Sequence, residues 1–195
     1  MIKLKITDLA YLKLKYFTKN VDTEISGLGK IRELEDCLEV YDIELFEQTV
    51  NYASSDLNPE SLLKFLFDKA SKKESVKDYK VWWHSHSRME SYFSPIDETT
   101  INRSTEFPYL ISIVTNKRGD NRARLDFFQP LRLTLPLEVE ITVKDSINIE
   151  KQCQTEISEK VKRRPLLKEL MSSVSKDRKK SLIPPSSKPR SVLQV

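Results

Sequence analysis

Tyr79-Lys80-Val81-Trp82-Trp83-His84-Ser85-His86, followed after seven intervening residues by Ser94-Pro95-Ile96-Asp97, is the stretch on which this chain turns. Its aromatic and β-branched residues read as a strand that runs straight into His84. If the strand continues, residues two apart project from one face, so His84 and His86 point together. These are the only two histidines in 195 residues. Two imidazoles and one carboxylate make a three-ligand zinc set that leaves a position open for water, as catalytic sites do. Asp97 is the candidate carboxylate. It also begins a helical pattern, Glu98 to Ser104, where it would double as a helix cap.

Outward from this segment the chain alternates between strand and helix signals. Residues 2–6 alternate apolar and charged like a strand. Asp8 to Phe17 fits either a helix, with Leu9, Leu12 and Tyr16 on one face, or an alternating strand. Glu24-Ile25-Ser26-Gly27-Leu28-Gly29 places two of the three glycines in a strand pattern, which suggests a bulge or a close backbone approach. Cys37 to Phe46 alternates again. Asn58-Pro59-Glu60 is a helix start with a capping Asn and Pro at the first helical position, and Leu62, Leu63, Leu66 and Ala70 give that helix its apolar face. Tyr109 to Thr115 is an apolar strand closed by the turn Asn116 to Asn121, and Leu125–Phe128 and Leu131–Val143 supply further strands. Strands beside at least one long helix point to an α/β or α+β domain ending near residue 145.

Charge divides the chain there too. Residues 151–195 hold 12 Lys and Arg against 4 Asp and Glu, leaving 21 against 25 in the rest. A mildly acidic domain, 1–145, thus carries a basic extension, 146–195. Within the extension Ile149, Cys153, Ile157 and Val161 form a narrow helical stripe, and a helix is expected over about 147–171. From Ser172 the Ser, Lys and Pro content cannot build a core, so disorder is expected. A basic end without interleaved aromatics is read as solvated, so nucleic acid is not an expected partner. Cys37 and Cys153 lie far apart with no CxxC spacing and read as reduced thiols. No apolar run approaches the roughly 20 residues that span a bilayer, and the first residues lack the apolar core of a secretory signal. A cytoplasmic protein without a membrane segment is the expectation.

The pattern His-x-His-x7-Ser-x2-Asp, carried by His84, His86, Ser94 and Asp97, resembles the signature of the JAMM metallopeptidases, the catalytic branch of the MPN domains. That family also places a glutamate upstream in a Glu-x-x-Gly context, which Glu24-Ile25-Ser26-Gly27 resembles, with Glu33 and Glu35 as nearby alternatives. The wording of both motifs is closer to bacterial or phage members. The resemblance covers roughly residues 1–145 and implies an MPN-type mixed central sheet flanked by helices. It implies one Zn2+ held by His84, His86 and Asp97, with Glu24 as general base and Ser94 as donor to an oxyanion. The implied reaction is hydrolysis of a peptide or isopeptide bond in a protein or peptide conjugate, at the C-terminus of a ubiquitin-like protein. The alternatives are a non-catalytic MPN-like scaffold and a hydrolase of a non-protein amide.

Two competing zinc chemistries are set aside by the residues. His-Glu-x-x-His is absent, and a nucleotide deaminase needs His-x-Glu with a Pro-Cys-x-x-Cys that this chain lacks. Trp82 and Trp83 are candidates for a substrate groove, although alternation sends one of them to the core. Met89, Tyr92 and Phe93 lie in the loop between the ligands, where an apolar side chain would meet substrate.

Overall fold

The computed structural model describes residues 2–50, 55–105, 107–141 and 149–163, all within one compact unit, Met1–Arg163. In order they form β1 (Ile2–Ile6), α1 (Asp8–Asn20), β2 (Ser26–Glu33), β3 (Leu38–Leu45), β4 (Gln48–Val50), β5 (Ser55–Leu57) and α2 (Pro59–Ser71). β6 (Val81–Ser85), α3 (Pro95–Arg103), β7 (Tyr109–Thr115), β8 (Asn121–Phe127), β9 (Leu133–Ile141), α4 (Glu150–Lys160) and β10 (Val161–Arg163) follow. Seven strands in the order β1-β3-β2-β6-β7-β8-β9 close into a barrel, and β10-β4-β5 make a separate small sheet.

This corrects the expected MPN-type central sheet flanked by helices. An open sheet would leave two edges of unpaired backbone groups. Here β1 pairs in parallel on both sides, Leu4 standing opposite Leu38 of β3 and opposite Val139 of β9, so the sheet has no edge. The alternation Ile2-Lys-Leu-Lys-Ile announces one buried face, and Leu4 and Ile6 are indeed buried. It carries no information about which strands lie on either side.

The ambiguous segment after β1 is helical. Thr7 caps it by accepting from the Ala10 N–H at 3.4 Å. Its buried line is Ala10, Leu14 and Phe17, with Leu9, Leu12 and Tyr16 along the flanks. Phe17 stacks on the Trp83 ring at 6.1 Å and fills the core with it. The two glycines follow from that packing. A Cβ on Gly27 would lie 2.1 Å from the Glu44 carbonyl and 2.7 Å from Trp83 Nε1, so only a bare backbone lets the indole pass beneath β2. The pairing of β2 with β3 shifts register between Lys30 and Ile31, just past the glycines.

α2 begins as its sequence suggests, with Asn58 accepting from the Glu60 and Ser61 N–H groups. Its expected apolar face needs correction: Leu63 is 67% exposed. Phe65 packs inward instead, edge-on to Phe46 and Tyr79 at 4.9 and 5.5 Å. The helix expected over 147–171 starts at Glu150 and passes into β10 at Val161; its Cys153 lies in the same core as α1. Residues 147–148 and 164–171 of that expected helix, and the disorder expected from Ser172 on, lie outside the described residues. No helix among the described residues is long and apolar enough to cross a membrane.

Candidate metal centre

Topology brings the candidate residues to one end of the barrel. β6 and β7 are parallel, so the chain between them must cross over, and α3 is the crossover. A crossover helix starts where the first strand ends, which puts the first turn of α3 beside the carboxyl end of β6. β2 runs antiparallel to β6 with Ser26 opposite His84, so the residues just before β2 arrive at that same end. His84 ends up on β6, His86 one residue past it, Asp97 in the first turn of α3, and Glu24 two residues ahead of β2.

The three expected ligands converge. One ligand atom from each of His84, His86 and Asp97 lies within 4.8 Å of the others, and all three residues are buried. The two histidine Nε2 atoms are 3.2 Å apart. Asp97 Oδ1 is 3.3 Å from His84 Nε2, and its Oδ2 is 3.6 Å from His86 Nε2. Ligands at about 2.0–2.1 Å around a tetrahedral zinc are separated by about 3.3–3.4 Å; the pair of histidine nitrogens and the His84–Asp97 pair lie close to that spacing, and the nearest His86–Asp97 approach is slightly longer.

Hydrogen bonds prepare these atoms to ligate. His86 Nδ1 lies 2.9 Å from the Glu90 carbonyl, which can only accept, so the ring proton sits on Nδ1 and Nε2 keeps a free lone pair. His84 is held by packing: Trp82 stacks on its ring at 4.5 Å and 21°. Tyr92 meets the His86 ring edge-on at 4.9 Å. Thus Trp83 is the core tryptophan and Trp82 the one at the site. Asp97 has its Oδ2 fixed by the Ser94 N–H at 2.7 Å, while Ser94 Oγ accepts from the Asp97 N–H at 3.2 Å. That pair is a capping box, with Ser94 as the cap and Asp97 at the third helical position, so Asp97 is not itself the cap and α3 starts at Pro95.

Burial and mutual contact displace each ionisable group of the cluster. Burial would raise Asp97, but the two histidines beside it and the Ser94 N–H outweigh that and hold the carboxyl far below its ordinary range. Burial depresses His84, and the Asp97 carboxylate beside it does not restore the usual value. For His86 the opposing contacts win over burial: Asp97 and the Glu90 carbonyl raise it. Two imidazoles and a carboxylate that stays ionised form a set that attracts a divalent cation. The residues present therefore fit zinc.

Glu24 is buried, and its charge interacts with those of His86 and Asp97. The Ser85 N–H donates to the Ile25 carbonyl at 2.8 Å, extending the β2–β6 ladder by one pair and setting Glu24 across from His86. Burial pushes its carboxyl up to about 7, with His86 opposing and Asp97 adding. Glu24 itself lies ahead of the strand, not on it. The alternatives do not come near: Glu33, at the far end of β2, accepts from the Tyr109 hydroxyl at 2.6 Å, and Glu35 is exposed.

Several supporting residues carried no signal in the sequence. Arg124 on β8 grips Glu98, the neighbour of Asp97, through both Nη atoms at 2.5 and 2.8 Å. Its Nε bonds the fully buried Asp126 at 2.8 Å, and its guanidinium lies 4.6 Å above the Phe93 ring. α3 is thereby anchored on both sides of Asp97. Asn116, read only as a turn residue, donates to the Met89 carbonyl and accepts from the Arg118 and Asp120 N–H groups, which ties the β7–β8 turn to the ligand loop. A composition of polar turn residues hides such roles, since the partners are backbone atoms.

No family model matches the chain, and no curated protein matches it. Among solved structures the fold is similar to the solution structure of a Desulfitobacterium hafniense protein determined as a structural-genomics target. The two share 14% identity over 72% of this chain and 94% of the other, with a TM-score of 0.52. At that identity the likeness is one of fold.

Proposed function

We propose that this protein is a mononuclear zinc-dependent amide hydrolase, with His84, His86 and Asp97 as ligands. The observation that carries the reading is the convergence of His84 Nε2, His86 Nε2 and Asp97 Oδ1, with His86 locked as a lone-pair donor by the Glu90 carbonyl.

Zinc bound there supplies an acidified water at neutral pH and a Lewis acid for the amide carbonyl. The rest falls to the chain. Glu24, poised near 7 by burial, accepts the proton of the attacking water and returns it to the departing amine as the C–N bond breaks. The Ser94 oxygen is engaged as a helix cap, but its own O–H is free of that bond and serves as the donor to the oxyanion that develops on the substrate. Trp82 holds the His84 ring in place. By the resemblance of the motifs, the substrate is a protein or peptide conjugate joined through the C-terminus of a ubiquitin-like or related protein. Two buried free cysteines suit a reducing compartment, and we place the protein in the cytoplasm.

The test is turnover of peptide-bonded and isopeptide-bonded ubiquitin-like fusions by the zinc-loaded chain, beside Glu24→Gln and His86→Ala. Zinc-dependent cleavage that falls by a factor of 10² or more in both variants is expected. A chain that binds zinc and cleaves none of these substrates is a binding module, and the enzyme reading is then wrong.

A further inference from the structure

A second feature sits beside the metal centre. Asp22, His86, Ser87, Arg88, Met89 and Arg163 line a cleft of about 410 Å3, so a metal ligand forms part of its wall. The carboxylate of Asp22 is shared by the Lys117 ammonium at 2.7 Å and the Arg163 guanidinium at 3.9 Å, and Arg88 also acts on it. Of the charges that line the cleft, Arg88 and Arg163 outnumber Asp22 by one, and Lys117, just outside the lining, takes up part of the Asp22 charge. On the other side of Lys117, Lys15 and Lys19 of α1 border a smaller hollow of about 150 Å3. Residues 1–150 carry more acidic than basic side chains, so this edge concentrates cations against the trend of the domain.

We propose that this cleft is a substrate subsite for a carboxylate, an acidic side chain or a free chain terminus lying close to the scissile amide. The proposal rests on the hydrolase reading for what is bound and extends it to the substrate's chemistry. Arg88 stands two residues from His86 on one loop, and Ser87 fixes that loop by donating to the Asp22 carbonyl at 2.9 Å. An anion held by Arg88 and Arg163 therefore has a set distance to the metal, which is how a charged subsite fixes the register of an extended peptide. Planar guanidinium groups suit a carboxylate. A cleft of this size admits one or two residues of a peptide and is too small for the backbone of a nucleic-acid duplex.

The experiment measures binding, so it stands apart from whether turnover occurs. Zinc-loaded full-length Glu24→Gln protein is titrated with dye-labelled hexapeptides by fluorescence anisotropy. One peptide has an internal Glu and an amidated end, a second has neutral side chains and a free C-terminal carboxylate, and a third is wholly neutral. At least one acidic peptide is expected to bind about three to ten times more tightly than the neutral one. The advantage should shrink at high salt and vanish in Arg88→Ala/Arg163→Ala. Both side chains are exposed or on the rim, so the variant should keep the parent melting temperature. Equal binding of acidic and neutral peptides overturns the proposal, as does a preference that survives the double substitution. An oligonucleotide that outcompetes the acidic peptides through the same two arginines also overturns it, reassigning the patch to phosphate.

Discussion

Ser94 and Asp97 hold each other: the Ser94 N–H donates to Asp97 Oδ2 at 2.7 Å, and the Asp97 N–H donates to Ser94 Oγ at 3.2 Å. The spacing Ser-x2-Asp is thus what a capping box requires, and the same bond orients the carboxylate toward the two histidines. One residue pair starts the helix and aims the carboxylate proposed as a ligand.

The two jobs of Ser94 separate by substitution. Ser94→Ala removes the cap and should cost about 1 kcal/mol of stability. Ser94→Asp keeps a capping acceptor but has no hydroxyl proton to donate. Its melting temperature should stay near wild type while kcat falls about 10²–10³-fold. Thermal melts beside steady-state kinetics check this, and a fully active Ser94→Asp protein would remove Ser94 from the chemistry.

Glu24 makes stability depend on pH. Its folded-state carboxyl, raised by burial to about 7, holds a proton more tightly than the ordinary group at 4.5. The stability this brings is complete below about 4.5 and is lost as pH rises through about 7. In metal-free protein, Glu24→Gln should therefore gain on wild type across that window, by about 3 kcal/mol at pH 8 relative to pH 4. Urea denaturation at a series of pH values reads the difference; parallel curves for the two proteins would mean that Glu24 is not buried in this way.

Arg124 supports the site from β8. Arg124→Ala leaves Asp126, fully buried, without its cation and releases Glu98, at a cost of about 3–5 kcal/mol. Loss of the α3 anchor should also weaken zinc binding about tenfold. Arg124→Lys keeps the charge without the fork and should recover only part of either. Chemical denaturation and a chelator-competition titration check the two effects.

Gly27→Ala drives a methyl group into the Glu44 carbonyl and the Trp83 indole. A loss of at least 2 kcal/mol is expected, with a changed near-ultraviolet signal from Trp83. Gly29→Ala meets its neighbours at 3.1–3.2 Å and should cost less. Denaturation curves of the two variants settle the order.

What was legible in the sequence is what local geometry controls. A period of two placed His84 and His86 on one face, and Asn58-Pro59 marked the start of α2. Thr7 and Ala10 decide for a helix in α1, but the segment's alternation of Leu and Lys masked them. Pairing partners are non-local, which is why the closure of the barrel through β1 was out of reach and an open sheet was expected in its place. The resemblance implies a strand for Glu24, whereas β2 begins only at Ser26. Leu63 fits a helical stripe as well as Phe65 does; Phe46 and Tyr79, distant in sequence, decide which one turns inward.

The central claim is that His84, His86 and Asp97 hold one metal ion. Elemental analysis of the zinc-loaded, gel-filtered protein beside His84→Ala, His86→Ala and Asp97→Ala tests it most directly. One zinc per wild-type chain, lost from each variant while far-ultraviolet circular dichroism shows the fold intact, is the expected result. Wild type that retains far less than one zinc per chain, or variants that keep the metal, would contradict it.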